Sequence, residues 1–476
     1  MQRITPDRPW PLHDAAATRA IEQAAAAALA PHTLMQRAGL AVARLALAIA
    51  PHGGTYWIAC GPGNNGGDGI EAALHLRLWG KHPVVTWLGD EGKAPADARA
   101  SLQRARAAGV AFSQQPPAKW HLAIDALLGL GSARPLEGAM AEWATAMNAA
   151  RAPVLAVDLP SGLHTDTGAG EAVQATHTLS LLSVKPGLFT GGGRDAAGQV
   201  WWDDLGVTAS PAPTAWLAGP PSPTVRRHAS HKGSYGDVAV IGGAPGMGGA
   251  ALLASSAALH AGAGRVFAAL LDGGALTVDT SQPDLMLRPW NALELPAMSV
   301  ACGCGGGEAV RAVLPVVLSQ ARDLVLDADA LNAIAVDSQL RALLASRSRR
   351  SRPTVLTPHP LEAARLLGCT TAQVQGDRVA ASRELTERFG CVSVLKGSGT
   401  VIAAPRELPV INPTGNPRLA TAGTGDVLAG LIAARLARGM PAFEAASAAV
   451  HAHGLAADHW PAGEPLTAAA LARRLT

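Results

Sequence analysis

Tyr56-Trp-Ile-Ala-Cys60 runs directly into Gly61-Pro-Gly-Asn-Asn-Gly-Gly-Asp-Gly69, and a stretch with helical periodicity continues to Trp79. An unbroken apolar pentad is the pattern of a strand buried on both faces. Glycine and asparagine tolerate positive φ, so the nine residues after it read as a loop whose backbone can approach a ligand closely. That loop leads into a helix N-terminus, where unpaired N–H groups favour anions. Strand, glycine loop and helix in this order open a parallel α/β sheet, in which ligands bind beyond the carboxyl ends of the strands.

The same alternation extends on both sides of this stretch. Val84-Val-Thr-Trp-Leu88, Leu122-Ala-Ile124 and Val154-Leu-Ala-Val157 read as further buried strands, with a helix expected over residues 94–108. Two of these strands end in acids, Asp125 and Asp158, and the second continues as Leu-Pro-Ser161-Gly. Such an aspartate either caps the following turn or faces the ligand crevice. Asn65, Asp125 and Ser161 are hard oxygen donors that suit a monovalent or a hard divalent cation.

Pro211 to Pro223 holds five prolines in thirteen residues and reads as a semi-rigid linker. The expected organisation is a first domain over 1–210, a linker over 211–224 and a second domain over 225–476. The second half is also α/β, with strands expected at 238–241, 265–270, 324–326, 354–357 and 392–395. The Arg347–Arg352 run, RSRRSR, reads as a solvated loop.

Composition narrows the function. The 476 residues carry 39 basic and 36 acidic side chains, a net charge of +3, which gives no electrostatic footprint for nucleic acid or a membrane surface. Aromatic residues make up 4%, too few for rows of base-stacking rings. Five scattered cysteines form no disulfide framework and point to a reducing, cytoplasmic setting. Cys302-Gly-Cys304 lacks a second pair at zinc-ligand spacing, so it reads as structural. No apolar signal core opens the chain, and no uncharged apolar run reaches membrane-spanning length.

In the second half, Val238-Ala-Val-Ile241 leads into Gly242-Gly-Ala-Pro-Gly-Met-Gly-Gly249, which is not followed by the Lys and Ser/Thr of a P-loop. Ala250, Ala251, Ser255 and Ser256 beyond it are small enough for close approach of a ligand or of another helix. Gly415-Asn-Pro-Arg-Leu-Ala-Thr-Ala-Gly-Thr-Gly-Asp-Val-Leu-Ala-Gly430 is the strongest local signal. Gly423, Thr424 and Gly425 can present successive N–H groups as an anion hole. Asp426 then stands in the first helical turn as a base for a substrate hydroxyl.

The first-half motifs LMQRAG (34–39), CGPGNNGGDG (60–69), IDALLGLG (124–131), VDLPSG (157–162) and KPG (185–187) resemble the NAD(P)H-hydrate epimerase domain. This resemblance implies a Rossmann-like fold, inversion of C6 in the hydrated nicotinamide ring of NADHX and NADPHX, and bound potassium on Asn65, Asp125 and Ser161. It implies a hydrate site lined by Asn64, Asn65, Gly66, Gly67, Asp68, by Gly129, Leu130, Gly131, Ser132, Ala133, Arg134 and Pro135, and by Asp158. Inversion needs an acid–base relay, for which Asp158 and Asp68 are alternatives. Lys185 reads as structural or phosphate-pairing.

KGSYGDVAVIGG (232–243), LDADALN (326–332), TPHPLEAARLLG (357–368), LKGSGTVIA (395–403) and the GTGD block resemble the ADP- or ATP-dependent NAD(P)H-hydrate dehydratase, a ribokinase-like fold. The resemblance implies phosphorylation of the S-hydrate hydroxyl by magnesium-bound ADP or ATP, with elimination of phosphate. Lys396, Gly397, Ser398, Gly399, Thr400 and Gly425 would contact the nucleotide. Ala250, Gly303, His359 and Asp426 would contact the hydrate, with Asp426 as the catalytic base. Asp327 and Asp329 read as core-side caps or as site acids, with the structural reading favoured.

Both halves in this order resemble the bifunctional NAD(P)H-hydrate repair enzymes, for which a homo-oligomer is expected. The alternative is a ribokinase-like small-molecule kinase with an N-terminal ligand-binding module. Two departures stand out: Ala301-Cys-Gly-Cys-Gly305 replaces the usual GPGLG, and Ala422 replaces a usual glycine. A left-handed backbone at Ala422 would cost about 1 kcal/mol or more.

Overall fold

Tyr56, Ile58 and Cys60 of the strand Thr55–Cys60 point into one apolar core, and Trp57 and Ala59 into another. This two-sided burial is the reason the strand is apolar throughout. The computed structural model describes residues 1–130, 135–208, 211–222 and 228–475. They form two compact units, Met1–Thr5 with Trp10–Leu217, and Pro6–Pro9 with Ala218–Thr476.

The sheet of the first unit has eight strands. Their order is Gln2–Arg3, Gln199–Asp203, His177–Leu181, Val154–Val157, Leu122–Ala126, Thr55–Cys60, His82–Trp87 and Ala111–Ser113. All neighbours are parallel except the antiparallel edge strand Gln2–Arg3. Helices Thr33–Ile49, Asn64–Leu78 and Ala96–Ala107 bury one face, and Ala139–Ala149 covers the other. The stretch expected to be a linker contains a strand, Ala215–Leu217, antiparallel to Trp10–Leu12.

The second unit contributes nine strands to a sheet, in the order Met286–Leu287, Arg265–Leu270, Asp237–Gly242, Ser299–Cys302, Asp323–Leu326, Thr354–Leu356, Val392–Leu395, Val401–Ala403 and Val410–Ile411. The first seven run parallel, and Val401–Ala403 is antiparallel to its neighbours on both sides. Val238 and Val240 face a core made with helices Gly248–His260, Thr424–Ala437 and Ala442–Asp458, whereas Ala239 and Ile241 face helices Val310–Gln320, Asp329–Val336 and Pro360–Leu367. The arginine run is not all solvated. Arg347 closes a helix, Ser338–Arg349, is 1% exposed, and donates to Thr354 Oγ1 and to the carbonyls of Leu318 and Ala321.

In both sheets the first parallel strand is flanked on one side by its successor and on the other by a later strand. Thr55–Cys60 lies between His82–Trp87 and Leu122–Ala126, and Asp237–Gly242 lies between Arg265–Leu270 and Ser299–Cys302. The helical connections therefore leave these strands toward opposite faces and open a crevice at their carboxyl ends. No helix among the described residues is long and apolar enough to cross a membrane.

Candidate active sites

In the first unit the loop after the strand is shorter than expected. Helix Asn64–Leu78 begins inside the motif, so only Gly61, Pro62 and Gly63 connect it to the strand. None of the glycines of this motif has positive φ. Their role is close approach: a Cβ on Gly66 would lie 2.0 Å from the Gly61 carbonyl oxygen, and one on Gly69 would lie 2.6 Å from Ala126 Cβ. The helix therefore starts tight against the sheet, with Asn64, Asn65 and Asp68 on its first turns facing a cavity of ≈ 1060 Å³.

Gly129, Leu130 and Asp158 also line this cavity, as do Glu22 and Lys185, which sequence reasoning did not assign to the hydrate site. Gly66 and Gly67 lie buried behind it, and Pro135 is exposed and does not line it. Gly131, Ser132, Ala133 and Arg134 lie outside the described residues.

Beneath the cavity, Asp125 is fully buried at the end of its strand. Its Oδ1 accepts from the Ser161 hydroxyl at 2.6 Å, and its Oδ2 accepts from the Ser161 N–H at 2.8 Å. Burial pushes the Asp125 carboxyl up to about 6, against the pull of these hydrogen bonds. Asn65 stands within reach of Gly129, where a Cβ would lie 2.8 Å from Asn65 Oδ1.

Two carboxyls in the cavity have different surroundings. Asp158 forms an ion pair with Lys185, whose ammonium is fully buried and also donates to the Leu181 carbonyl at 2.7 Å. The backbone at Asp158 is left-handed, φ 68°, so the carboxylate turns back to accept the Leu181 N–H at 3.1 Å. Asp68 is held well above the ordinary carboxyl range by burial and by the nearby charges of Asp158, Glu22, Glu71 and Asp97. Burial, followed by the Asp158 charge, also raises Glu22.

In the second unit, Gly423 has φ 90° and caps helix Thr424–Ala437, which places the N–H groups of Thr424 and Gly425 at the helix start. Ala422 is not among the left-handed residues, so its Cβ carries none of the expected strain. Asp426 sits in the first turn. Its carboxylate, that of Asp327 and the Cys304 sulfur lie within 4.8 Å of one another. Burial and the Asp327 charge push Asp426 up to about 6, while a hydrogen bond from Cys304 and the Lys396 ammonium work in the other direction.

Asp327 belongs to this site rather than to a cap. Its Oδ1 accepts from Lys396 Nζ at 2.6 Å and from Thr357 Oγ1 at 2.8 Å. Burial pulls the Lys396 ammonium down, but the Asp327 and Glu362 carboxylates hold it above its ordinary value. Asp329 opens helix Asp329–Val336 without capping it, and instead accepts the N–H of Gly307 from a neighbouring loop at 2.8 Å, a structural role. An acid closing a strand before Ala-Asp gave no way to tell the two apart. The Lys396–Asp327 pair, 69 positions apart, carries the distinction.

Gly397 and Gly399 take φ of 134° and 62° in the turn that carries Ser398 and Thr400, and buried Arg378 supports it through the Leu395 and Lys396 carbonyls. His359 caps helix Pro360–Leu367: its Nδ1 accepts from the N–H groups of Leu361 and Glu362, and Nε2 lies 3.2 Å from Glu362 Oε1. Gly303, φ 117°, has no room for a side chain, since a Cβ would lie 2.0 Å from the Asp327 carbonyl oxygen. Ala250 lies beside Gly305 in the same loop region.

The NAD(P)H-hydrate dehydratase family profile matches residues 238–475, and the YjeF-related protein N-terminus profile matches 31–187. The bifunctional NAD(P)H-hydrate repair enzyme Nnr of Escherichia coli strain K12 is 36% identical over 454 residues, covering 90% of this chain and 85% of that protein. The ADP-dependent (S)-NAD(P)H-hydrate dehydratase of Neisseria meningitidis serogroup B is 46% identical over 240 residues, 49% of this chain and 80% of that one. A Bacillus subtilis ADP/ATP-dependent NAD(P)H-hydrate dehydratase, co-crystallized with ATP and magnesium, is 32% identical and covers 53% of this chain and 91% of its own, with a TM-score of 0.44. With the dehydratase profile over half of its length and a full-length relative above 30% identity, the chain belongs to the bifunctional NAD(P)H-hydrate repair enzymes, which pair an epimerase with a nucleotide-dependent dehydratase.

Proposed function

We propose that the first unit inverts C6 of the nicotinamide hydrate with two unlike carboxyls, and that the second uses ADP to dehydrate the S form through Asp426. The observation that carries the first half is the contrast between Asp68, whose carboxyl burial and acidic neighbours hold well above the ordinary range, and Asp158, paired with Lys185 in the same cavity. A neutral Asp68 can protonate the departing hydroxyl, and the ring nitrogen's lone pair supports the cation left at C6. The Asp158 carboxylate then takes a proton from the water that adds on the opposite face. Pairs of acids pushed into different protonation states are the usual means of placing acid and base together.

Asn65, Asp125 and Ser161 fit the implied potassium. They offer hard oxygens, an amide, a carboxylate and a hydroxyl, the donor class that suits this cation. Asp125 is an ionisable group sealed from water. When bound, the cation supplies fixed positive charge for substrate oxygens. Asn65, Asp125 and Ser161 are the residues that would hold it.

In the second unit ADP enters as a magnesium complex and co-substrate. Asp426 accepts the proton of the 6-hydroxyl as its oxygen attacks the terminal phosphoryl group, and AMP leaves. The N–H groups at the start of helix Thr424–Ala437 receive the negative charge of the transferring group. Loss of phosphate, assisted by the ring nitrogen, and of a C5 proton restores the dihydronicotinamide. ADP is chosen over ATP on the name of the Neisseria relative.

The decisive assay is recovery of reduced-nicotinamide absorbance from a mixed R/S hydrate, with ADP or ATP, potassium and magnesium. Complete recovery with AMP release, lost in Asp426→Asn, is the expected result. Nucleotide turnover on another hydroxylated metabolite, with no recovery of absorbance, would overturn this reading.

A further inference from the structure

The Cys304 sulfur stands within 4.8 Å of both the Asp426 and the Asp327 carboxylates, yet nothing in the reaction as derived uses it. Its placement is fixed by backbone. Cys304 lies between Gly303, φ 117°, and Gly305, φ 57°, and its carbonyl accepts the Gly243 N–H at 3.0 Å while the Gly305 carbonyl accepts the Ala244 N–H at 2.7 Å. These bonds tie the loop after Ser299–Cys302 to the loop after Asp237–Gly242. The backbone that carries the Cys304 side chain is therefore held in place.

The donors around the two carboxylates are unevenly shared. Asp327 Oδ1 already accepts from Lys396 and Thr357. Asp426 has the Cys304 sulfur within 4.8 Å, and the thiol lowers its pKa as a hydrogen-bond donor would. The thiol is fully buried, and burial together with the Asp426 and Asp327 charges holds it well above its ordinary value, so it remains S–H, a donor.

Given the reading of Asp426 as the dehydratase base, on which this inference rests, we propose that Cys304 is a positioning residue, its thiol donating the hydrogen bond that orients the Asp426 carboxylate and favours its ionised form. A base beside a second carboxylate needs such a donor. Asp327 disfavours the Asp426 charge, and the Lys396 ammonium is already engaged by Asp327. The other titratable groups nearby act at one remove. Glu362 and His359 face Lys396 and Asp327, and Asp329 faces Glu362. His453, whose Nε2 is 3.0 Å from the Thr424 carbonyl, is depressed to about 4 by burial and stays neutral near pH 6.

The test is the pH profile of kcat for S-hydrate dehydration in the full-length enzyme. In Cys304→Ala the acidic limb should move up by about half to one pH unit, the scale of one hydrogen bond to a carboxylate, with kcat at pH 8 changed less than about twofold. Cys304→Ser, which keeps a donor, should hold the wild-type limb. Glu362→Gln separates any contribution of that acid, which burial pushes up to about 7, from the limb of Asp426. A wild-type profile in Cys304→Ala, or an equal shift in the serine variant, overturns the proposal. Should Cys304→Ala not fold, the S–H stretching band, assigned by its loss in Cys304→Ser, must shift on Asp426→Asn, and an unmoved band is equally fatal. Failure of the underlying reading looks different: Asp426→Asn would then keep dehydrating.

Discussion

Ser161 closes on Asp125 from two directions, its hydroxyl reaching Oδ1 at 2.6 Å and its backbone N–H reaching Oδ2 at 2.8 Å. The hydroxyl also accepts the Leu128 N–H at 2.9 Å, so one side chain joins the ends of two strands. This gives Ser161→Ala two separable consequences. Stability of the first unit should fall by about 1–3 kcal/mol, the cost of leaving buried polar partners unsatisfied. The potassium concentration for half-maximal epimerisation should rise at least about tenfold, while S-hydrate dehydration is unaffected. Titrating potassium against tetramethylammonium at constant ionic strength reads the second effect, and an unchanged midpoint would remove Ser161 from the cation site.

Asp158→Asn and Asp68→Asn should both slow consumption of the R hydrate by at least about a hundredfold. Their stabilities should part company. Replacing Asp158 strands the buried Lys185 ammonium, at about 3–5 kcal/mol. Replacing Asp68 removes a carboxyl whose folded-state value is raised, so that folding at neutral pH must take up a proton there at a cost in stability. That variant should be as stable as wild type or more so. Thermal unfolding of the two variants at pH 7 checks the contrast, and equal losses would contradict it.

Dehydration should decline in acid. The base must be ionised to accept a proton, and Asp426 is pushed up to about 6 by burial and the Asp327 charge. The rate of S-hydrate dehydration should therefore be flat above pH 7 and halve near pH 6. It should be measured in single turnover, so that product release does not mask it. A limb below pH 5 would show that Asp426 is not the group that titrates.

Helices Gly248–His260 and Thr424–Ala437 meet at backbone distance, for a Cβ on Gly430 would lie 1.9 Å from the Ala254 carbonyl oxygen. Gly430→Ala should destabilise the second unit by about 1–3 kcal/mol or more, because rigid backbone must move. Gly248→Ala, with nothing within 4 Å, should change stability by less than about 0.5 kcal/mol. Equal denaturant midpoints for the two would disprove the packing account.

The strands were legible wherever burial is two-sided: Val154–Val157, Arg265–Leu270 and Val392–Leu395 match the apolar runs residue for residue. The glycine-rich motif was legible as a site but misread as geometry, because composition cannot distinguish a glycine needed for φ from one needed for space. Glu22 was hidden by distance along the chain: it enters the cavity from a helix, Ala15–Ala28, that carries no motif. Cys304 looked structural for the opposite reason, since its partner Asp426 stands 122 positions away and only the fold brings the two together.

The left-handed turn at Asp158 bears on how such a chain can change over generations. Side chains other than glycine, asparagine and aspartate pay about 1–2 kcal/mol to sit there. Mutational drift at this position therefore passes most easily through asparagine or glycine, neither of which carries a charge to match Lys185. A lineage no longer under selection to rescue the R hydrate would shed its epimerase here while keeping the outline of the domain. The companion lysine is the trace to look for, since a buried ammonium without its carboxylate should soon give way to an apolar residue.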